Sequence, residues 1–438
     1  MIDYHQAIEY IYGLNKYGIK LGLKNISYLL SLFDNPHLKT RVIHIAGTNG
    51  KGSTAAMILS ILEAAGYKVG LYTSPHLVHF QERMRINEKL ISQHDVCSLL
   101  ERIKPAIDQV AKTEGYQHPT FFEVITTMAF VYFYETKVDF SIMEAGLGGR
   151  LDATNVCQSL ISTISHIDYD HMDKLGSTLT EIAREKGEII KDKTVVINAE
   201  QYPEADRVIK SIAEERQAPV YSVGQEIKPY PTHSDLEGNN FNYSGIYHKF
   251  NNLHIPLVGE YQVENAAMAI AVTELLNKMD FVINKQAILN GLRDSQWPGR
   301  FEIVQKEPMV ILDGAHNPNG VAQFSKNLRK FVPDKKIVAV LGIFSDKDYQ
   351  SILKNIVPFV DQIIITMANN PRATPTHILA REAGRYIHPD KIIEKTTVDA
   401  AIQESLRITE KDSVICVTGS LYTVGEAKAY FLKKEKDK

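Results

Sequence analysis

The fold is decided by the stretch Val42-Ile43-His44-Ile45-Ala46-Gly47-Thr48-Asn49-Gly50-Lys51-Gly52-Ser53-Thr54. A short apolar run leads into a turn that contains three glycines and a lysine and ends in two hydroxyl residues. The residues from Ala55 to Ala65 carry apolar side chains at helical spacing, and Gly66 ends that pattern. The order is therefore a strand, a glycine turn and a helix.

Such a turn is typical of a phosphate-binding loop. Glycines allow a tight turn and close approach to an anion, and the N–H groups at the start of the helix point at that anion. Lys51 adds a mobile positive charge, and Ser53 offers a hydroxyl to a magnesium ion. The usual pattern has a glycine where Ile45 stands and no residue where Gly52 stands. The alternative is a glycine-rich turn with a chance lysine, but strand, turn and helix agree in favouring phosphate.

Length and composition predict a globular protein of two or three domains. The chain has 438 residues, of which 44% are hydrophobic and 23% charged. A net charge of −3 gives no argument for nucleic acid or an anionic membrane as a binding partner. Three widely spaced cysteines suggest no disulfide framework and fit a reducing compartment. Because the N-terminus has no signal-like pattern and no stretch reaches membrane-spanning length, we expect a cytoplasmic protein.

A second informative stretch is Glu144-Ala145-Gly146-Leu147-Gly148-Gly149-Arg150-Leu151-Asp152-Ala153-Thr154-Asn155, which follows a predicted strand at 138–143. A carboxylate at the end of a strand, in a sheet that also carries a phosphate loop, is where a magnesium-organising residue would lie. The alternative is a turn with a solvated glutamate. A strand at 159–165 brings the segment from His166 to Asp173 to the same edge, where histidine with flanking acids could hold metal or simply be solvated.

Periodicity predicts the remaining elements of the first domain. Helices are expected over 3–16, 25–33, 93–113, 121–135, 178–191, 203–216, 259–278 and 284–293, and strands over 68–73 and 194–198. The loop after 68–73 is polar. From about 219 to 258, aromatic and branched residues alternate with polar ones, which predicts short antiparallel strands in a small accessory sheet.

Trp297-Pro298-Gly299-Arg300-Phe301 marks the predicted domain boundary, because Pro-Gly is a turn signal and the pattern restarts beyond it. Alternating strands and helices follow, with strands at 309–312, 336–341, 362–366, 391–394 and 413–418. The predicted fold is α/β: a P-loop nucleotide-binding domain over 1–296 with an accessory β region at 219–258, and a Rossmann-like α/β domain over 299–438. Asp313 and His316 follow a strand end and are site candidates, with a helix-cap role as the alternative.

These motifs, in this order, resemble folylpolyglutamate synthase and dihydrofolate synthase, a family of ATP-dependent Mur ligases. The resemblance covers nearly the whole chain. It is carried by Gly47 to Ser53, by Thr73-Ser74-Pro75-His76-Leu77, by Glu144 to Asn155, by Asp170-His171, by Trp297 to Arg300, and by Asp313-Gly314-Ala315-His316-Asn317-Pro318.

The resemblance implies a reaction that joins the carboxylate of a pterin-linked substrate to the amine of L-glutamate. Phosphorylation by ATP would turn the unreactive carboxylate into an acyl phosphate, which the amine attacks. The implied cofactors are ATP and two Mg²⁺ ions, and the implied substrates are folate or dihydropteroate, L-glutamate and ATP. No nucleic acid or membrane partner is implied, and we expect a monomer.

The resemblance also assigns roles at the nucleotide and metal sites. The residues implied to bind ATP are Asn49, Gly50, Lys51, Gly52, Ser53, Asn265, Arg300 and Asp313, with Arg300 reaching the phosphates from the domain boundary. One magnesium would be held by Ser53 and Glu144. The second would be held by Ser74, Glu144 and His171. The implied catalytic residues are Lys51, Glu144, His171, Lys186 and His316.

Two substrate regions follow from the same resemblance. His316 and Ser420 would line the glutamate side. The pterin site would be built from Gly18, Ile19, Lys20, Leu21, Thr120, Phe121, Phe122, Glu123, Asp152 and Ala153. The loop from Ser74 to Arg83 would close over that site, and Arg83 is itself implied to be a substrate-binding residue.

Lys186 matches the family lysine that reacts with carbon dioxide to form a carbamate, which could support the second metal. The sequence departs from the family pattern next to it, because Gly187 and Glu188 stand where Ala and Gly are usual. The alternative for Lys186 is an ion pair with a nearby acid on a helix face.

Two alternatives to a folate ligase remain open at this point. The chain could be another Mur-type ligase that adds an amino acid to a different acid, or an inert nucleotide-binding relative. Lys51, Glu144, His171 and Arg300 together argue against an inert protein, and the segments 17–23 and 121–123 favour folate. Within the family, the glycine-rich segment 18–23 resembles that of members that accept both dihydropteroate and folate.

Overall fold

The computed structural model describes residues 2–18 and 20–436. The chain divides into two compact units. The first contains Met1–Thr232, Asn240–Ile255 and Tyr261–Gln296, and the second contains His233–Asn239, Pro256–Glu260 and Trp297–Lys438. The short pieces 233–239 and 256–260 thus belong to the second unit, although the sequence analysis assigned them to the first domain.

The first unit alternates strands and helices. Its strands are β1 (Val42–Ala46), β2 (Val69–Tyr72), β3 (Met84–Ile86), β4 (Lys89–Leu90), β5 (Phe140–Glu144), β6 (Ser159–Ile164), β7 (Val195–Asn198), β8 (Val220–Ser222), β9 (Lys228–Asp235), β10 (Gly238–Ser244) and β11 (Lys249–Ile255). Its helices are α1 (Tyr4–Gly13), α2 (Lys24–Ser31), α3 (Lys51–Ala64), α4 (Gln93–Lys112), α5 (Phe121–Glu135), α6 (Met172–Leu175), α7 (Leu179–Gly187), α8 (Pro203–Glu215), α9 (Tyr261–Lys278) and α10 (Lys285–Asp294).

The main sheet has the strand order β4-β3-β2-β5-β1-β6-β7-β8 in the part of the chain that the structure describes. Strands β2, β5, β1, β6, β7 and β8 are parallel, and β3 and β4 form an antiparallel edge. Strands β1, β2 and β5 are fully buried, as expected for a parallel sheet covered on both faces. The carboxyl ends of β1, β2, β5 and β6 meet at one edge, which is where ligands bind in such sheets.

Two apolar clusters pack against this sheet. One joins α1, α2, α4 and α5 and contains large side chains such as Phe130 and Phe133. The other joins α7 and α8 to β6 and β7 through residues such as Ile182 and Ile209. These clusters hold the loops at the carboxyl edge of the sheet on a rigid base.

Three features of the first unit differ from the sequence-based expectation. The segment 220–222 was expected in the accessory sheet, but β8 pairs with β7, so the small sheet β11-β10-β9 begins only at Lys228. The polar loop after β2 contains the β3–β4 hairpin, whose strands are too short to show periodicity. The predicted helix at 178–191 ends at Gly187, because the next residues make tighter turn bonds instead.

The second unit is an open α/β sheet of the Rossmann-like kind, which confirms the predicted fold class. Its strands are β12 (Glu302–Lys306), β13 (Met309–Leu312), β14 (Ile337–Leu341), β15 (Gln362–Ile365), β16 (Ile392–Glu394) and β17 (Val414–Thr418), and its helices are α11 (Pro318–Phe331), α12 (Tyr349–Ile356), α13 (Thr376–Ala383), α14 (Val398–Ile408) and α15 (Leu421–Lys436). The order is β12-β13-β17-β14-β15-β16. Strand β12, which was not predicted, is a half-buried antiparallel edge with a mixed polar sequence. In the described residues, no helix is long and apolar enough to cross a membrane.

Candidate active site

The loop between β1 and α3 has a backbone that only glycine can supply at two positions. Gly47 has φ 149°, and a Cβ there would lie 1.9 Å from Oγ of Ser165. Gly50 has φ 90° and precedes α3, and a Cβ there would lie 2.4 Å from Oδ1 of Asn265. The two glycines therefore allow the loop to pack against the end of β6 and the start of α9.

The backbone N–H groups of this loop fall into two sets. Those of Thr48 and Asn49 both donate to the carbonyl of His166, at 2.9 and 3.1 Å, and so tie the loop to the residues after β6. The first hydrogen bond of α3 joins the N–H of Thr54 to the carbonyl of Gly50. The N–H groups of residues 51–53 therefore precede the intrahelical ladder and point out of the positive end of α3.

Two lysines converge on the loop. Nζ of Lys51 donates to the carbonyl oxygens of Gly47 and Thr48, at 3.0 and 3.1 Å. Nζ of Lys186, near the end of α7, donates to the same Gly47 oxygen at 2.8 Å, and its side chain is buried. Two basic side chains thus flank the loop.

Glu144 ends β5 beside the loop. It pairs in register with Ile45 of β1, and its Oε2 accepts the N–H of Ser74 at 3.1 Å. Glu144 and Ser53 are both buried, with 5% and 3% exposure. A buried carboxylate and a hydroxyl at one sheet edge are oxygen donors of the kind that magnesium prefers, with substrate phosphates completing its coordination.

His171 lies after β6 in a left-handed conformation with φ 51°. Its N–H donates to Oδ1 of Asp170 at 2.9 Å, and its Nε2 lies 3.9 Å from Oδ2 of the same residue. The described residues contain no group of three or more His, Cys, Asp or Glu that could hold a metal by themselves.

In the second unit, the predicted residues lie at the carboxyl ends of β13 and β17. The Asp313 carboxylate accepts the N–H groups of Phe301 and Ala315, at 2.9 and 2.8 Å. Burial raises the pKa of Asp313, and the charge of Arg300 opposes that shift. Nδ1 of His316 pairs with the carbonyl of Gly314 at 2.8 Å. Asn317, and not Asp313, caps α11, so the cap alternative does not account for Asp313.

Two family models match the chain: "Mur ligase middle domain" over residues 45–273 and "Mur ligase, glutamate ligase domain" over residues 299–421. A relative from Bacillus subtilis named dihydrofolate synthase/folylpolyglutamate synthase is 36% identical over 97% of this chain and 98% of its own length. A folylpolyglutamate synthase from Lacticaseibacillus casei is 31% identical over 96% and 97%. The chain belongs to the folylpolyglutamate and dihydrofolate synthase family of Mur ligases.

Solved structures agree with this assignment. A Mycobacterium tuberculosis folylpolyglutamate synthase complexed with ADP superposes with a TM-score of 0.92 at 30% identity, covering 98% of this chain and 99% of that one. E. coli FolC in complex with DHPP and ADP gives a TM-score of 0.88 at 29% identity, covering 99% and 100%. The fold of this Mur ligase is therefore that of enzymes solved with nucleotide bound.

Asn265, predicted to bind the nucleotide, lies at the start of α9 of this Mur ligase. Its Nδ2 donates to Oε1 of Gln262 at 2.9 Å, and its Oδ1 accepts from the hydroxyl of Thr54 at 3.4 Å. It thus packs against the first turn of α3, close to Gly50.

Several residues predicted for the pterin site have structural partners. Thr120 and Glu123 form a capping box at the start of α5, with the carboxylate 2.7 Å from the Thr120 nitrogen. Asp152 accepts the N–H groups of Leu147 and Thr154 and the hydroxyl of Thr154, at 2.8, 3.0 and 2.6 Å. Burial raises the pKa of both carboxyls. These groups hold the loops in place whether or not they also bind substrate.

The other predicted pterin residues lie around the same loops. Phe122 packs on Gly146, where a Cβ would lie 2.4 Å from the ring. Gly18 has φ 68°, Nζ of Lys20 lies 5.7 Å from the Tyr17 ring centroid, and Leu21 is 48% exposed. Ala153, next to Asp152, is buried. Ile19 lies outside the described residues.

The loop from Ser74 to Arg83 contains a network that sequence reasoning missed. Nε of Arg83 donates to Nδ1 of His76 at 2.8 Å, and Nε2 of His76 pairs with the hydroxyl of Tyr12 at 3.2 Å. Burial, followed by the charge of Arg83, lowers the pKa of His76 to about 3, so its ring is neutral. The motif that contains His76 helps to carry the family resemblance, but nothing in the sequence joins His76 to Tyr12.

Packing explains Gly187 and Glu188, the two residues after Lys186 that differ from the family pattern. A Cβ on Gly187 would lie 2.8 and 2.9 Å from the Cδ1 atoms of Ile212 and Ile209, so α7 packs closely on α8. The Glu188 carboxylate pairs with Arg216. The unusual pair therefore serves the contact between α7 and α8.

Proposed function

We propose that this Mur ligase uses ATP to join L-glutamate to the carboxylate of a folate through an acyl phosphate. The observation that carries this proposal is the end-to-end likeness to enzymes named folylpolyglutamate synthase and dihydrofolate synthase. The glycine loop before α3, with Lys51 and the adjacent Glu144, supports it because such a loop suits the phosphates of ATP.

The reaction has two steps. An oxygen of the acceptor carboxylate attacks the γ-phosphorus of ATP, so that an O–P bond forms, the bond to the bridging oxygen breaks and ADP leaves. The neutral amine of glutamate then attacks the carbonyl carbon, so that a C–N bond forms, the C–O bond to phosphate breaks, and phosphate and a proton are released. Activation is needed because direct attack on a carboxylate would require an oxide to leave.

Residues of the first unit would bind the phosphates. The N–H groups of residues 51–53, at the start of α3, and the ammonium group of Lys51, at the Gly47 carbonyl, would stabilise charge on the β- and γ-phosphates. Asn49 and Asn265, at the loop and beside Gly50, would bind other parts of the nucleotide. In the second unit, Arg300 and Asp313 are the residues that the resemblance implies for nucleotide binding.

Magnesium would be held by Ser53 and Glu144 at a first position and by Ser74, Glu144 and His171 at a second. The buried carboxylate of Glu144 and the oxygen-rich donor set fit this ion. When bound, magnesium neutralises phosphate charge and orients the γ-phosphoryl group. Glu144 already holds the Ser74 backbone, which brings the two proposed ligand positions together.

Lys186 would carry a carbamate. Its amine is buried and lies against the Gly47 carbonyl, so the modified group would face the phosphate loop. A carbamate would turn a cation into an anion that can support the second metal. The close packing at Gly187 and the ion pair of Glu188 would hold the end of α7 in place.

Two further sets of residues would bind the organic substrates. The loops that contain Gly18, Thr120 and Asp152 would form the pterin site. Because the Gly314 oxygen only accepts, Nδ1 of His316 donates to it. His316 and Ser420, which caps α15, would line the glutamate side.

We further propose that the protein is a cytoplasmic monomer that accepts both dihydropteroate and tetrahydrofolate. All three cysteines are buried and unpaired, which suits a reducing compartment. The glycine-rich segment at 18–23 is the feature that favours a second acceptor.

The test is glutamate-dependent release of ADP with different acceptors. We expect turnover with tetrahydrofolate and with dihydropteroate, the latter giving dihydrofolate, and none with a peptidoglycan precursor. Turnover with the precursor alone would replace the proposal by another Mur-type activity. No turnover with any acid would favour an inert nucleotide-binding protein.

A further inference from the structure

His44 is a fully buried polar residue in the middle of β1, whose other members are apolar. A buried imidazole is costly unless its ring nitrogens have hydrogen-bond partners. Nε2 lies 2.8 Å from the hydroxyl of Thr154, and Nδ1 lies 3.8 Å from the sulfur of Cys157. Both partners belong to the segment after Asp152, which is one of the residues proposed for the pterin site. His44 therefore joins β1 to this segment.

The Thr154 hydroxyl determines which ring nitrogen of His44 carries the proton. Its oxygen lies 2.6 Å from Oδ1 of Asp152, to which it donates. A hydroxyl has one proton, so the Thr154 oxygen accepts from His44, and Nε2 carries the ring proton. The ring is neutral, because burial lowers the pKa of His44 to about 3. Nδ1 is therefore left as an acceptor.

The thiol of Cys157 completes a chain of hydrogen bonds in which every donor points the same way. Burial raises the pKa of this thiol to about 12, so it keeps its proton and can donate to Nδ1 of His44. The chain thus runs from the thiol through the imidazole and the hydroxyl to the Asp152 carboxylate. All four side chains are buried, and hydrogen bonds that point one way in such an environment polarise one another.

Backbone groups hold the same carboxylate, but they do not account for the chain. Oδ1 of Asp152 accepts the N–H of Thr154 at 3.0 Å, which caps the turn Ala153–Val156, and Oδ2 accepts the N–H of Leu147 at 2.8 Å. Neither bond needs a hydroxyl at position 154 or an imidazole at position 44. Because the backbone and the hydroxyl of Thr154 use both lone pairs of Oδ1, an N–H group of a substrate would have to bind at Oδ2.

The far end of the segment is anchored independently of His44. Nζ of Lys191 donates to the backbone oxygen and to Oδ1 of Asn155, at 2.9 and 2.7 Å. Nδ2 of Asn155 donates to the carbonyl oxygens of Arg150 and Glu188, at 3.1 and 3.3 Å. We therefore expect the backbone of this segment to keep its place when the Thr154 hydroxyl is removed.

We propose that His44 and Thr154 are positioning residues for recognition of the pterin, because they hold the Asp152 carboxylate ionised and turn its Oδ2 toward an N–H group of the bound ring. The inference rests on the proposed function, in which Asp152 belongs to the pterin site. Hydrogen bonds donated to a carboxylate favour its ionised form, and a carboxylate that is already fixed loses little freedom when it binds. Since both residues act through Asp152, their loss should weaken binding of the pterin substrate and leave binding of ATP unchanged.

The first test removes the Thr154 hydroxyl and keeps the shape of the side chain. KM for tetrahydrofolate, KM for ATP and kcat are measured for the full-length wild type, Thr154→Val and Thr154→Ser. We expect Thr154→Val to raise KM for tetrahydrofolate about tenfold, because a hydrogen bond to a charged group is lost, and to change KM for ATP by about twofold or less. Thr154→Ser keeps a hydroxyl and should restore most of the affinity for tetrahydrofolate.

The matched control is Thr273→Val, which removes another fully buried hydroxyl, one that donates to the carbonyl of Ile270 in α9. It should leave both KM values unchanged. An unchanged KM for tetrahydrofolate in Thr154→Val would overturn the inference, and so would an equal rise in both KM values, which a merely structural role predicts. If wild type turns over no folate or dihydropteroate, the proposed function fails, which differs from an active wild type whose KM does not depend on Thr154.

The role of His44 is tested by a second pair of substitutions. His44→Gln keeps an N–H group in the place of Nε2, whereas His44→Leu does not. We expect His44→Leu to raise KM for tetrahydrofolate about as much as Thr154→Val does, and His44→Gln to raise it less. The double variant with His44→Leu and Thr154→Val should be no worse than Thr154→Val alone, because both changes act through one carboxylate. An unchanged KM in His44→Leu would overturn the role of His44.

The direction of the chain is tested in the wild-type protein, whether or not the variants fold. ¹⁵N chemical shifts of the ring nitrogens of His44 are measured at pH 7 in protein labelled with ¹⁵N-histidine. The expected result is a protonated Nε2 and an unprotonated Nδ1. A proton on Nδ1, alone or together with one on Nε2, would overturn the inference, because Thr154 could then not donate to Asp152 in the way described.

Discussion

Lys51 and Lys186 donate to the same backbone oxygen, that of Gly47, at Nζ–O distances of 3.0 and 2.8 Å. One begins α3 and the other lies near the end of α7, so two distant segments bring positive charge to one turn. The phosphates of ATP would bring negative charge to this turn, and a carbamate would convert the Lys186 amine into an anion.

The carbamate can be detected directly. We expect ¹³C-bicarbonate to give a carbamate resonance in wild-type protein that is absent from Lys186→Gln. Lys51→Gln is the matched control, because it removes the other lysine on the Gly47 oxygen and should keep the resonance. A resonance that survives in Lys186→Gln, or none in wild type, would show that Lys186 is unmodified.

Glu144→Gln should reduce turnover about a thousandfold, because it removes the charge of the proposed metal ligand. The amide oxygen can still accept the N–H of Ser74, so the fold should persist. Steady-state rates at varied magnesium concentration measure the loss of turnover, and thermal unfolding measures whether the fold persists. The control is Glu135→Gln, an exposed residue of α5. A rate within tenfold of wild type would remove Glu144 from the mechanism.

Much of the first unit could be predicted from sequence because local physics determines it. The glycines at 47 and 50 are required by positive φ and close packing, and they stand between an apolar strand and an apolar helix. Glu144 ends a buried strand, which identifies the edge of the sheet. These features are contiguous in sequence, so a pattern of a few residues reveals them.

The missed features join distant segments. The pair of Tyr12 with His76, and that of Arg216 with Glu188, leave no periodic trace, because each depends on how elements pack. Strand β8 has three residues, too few to show which sheet it joins. Thr120 and Glu123 fit a capping box by sequence, but the resemblance directed attention to the pterin.

Gly149→Ala should harm the protein more than Gly187→Ala. A Cβ on Gly149 would lie 2.7 and 2.8 Å from the carbonyl oxygens of Glu185 and Lys186, so the end of α7 would have to shift. We expect destabilisation of about 1–3 kcal/mol and a lower kcat, since Lys186 would move. At Gly187 the atoms nearest an added Cβ are the ends of the Ile209 and Ile212 side chains, which can move. In addition, alanine has a helix propensity about 1 kcal/mol more favourable than that of glycine. Thermal unfolding and kcat of both variants check this, and equal effects would contradict it.

His44 should make stability depend on pH. It is fully buried in β1, where Nε2 pairs with the Thr154 hydroxyl at 2.8 Å, and burial lowers its pKa to about 3. The unfolded chain has a pKa of about 6.5 at this residue, so it binds the proton first as the pH falls. Stability from this group is therefore retained above about pH 6.5 and lost progressively between about pH 6.5 and pH 3.

Between pH 7 and pH 5, His44 alone should cost about 2 kcal/mol of the free energy of unfolding. His44→Asn should be less stable than wild type at pH 7, because the wild-type ring fills a fully buried position in β1. Between pH 7 and pH 5, however, the variant should lose about 2 kcal/mol less of its free energy of unfolding than wild type loses. Urea unfolding of both proteins at the two pH values measures the difference. His233→Asn, at an exposed histidine, is the control and should keep the wild-type pH dependence. Equal pH dependence in His44→Asn and wild type would mean that His44 takes up its proton without unfolding.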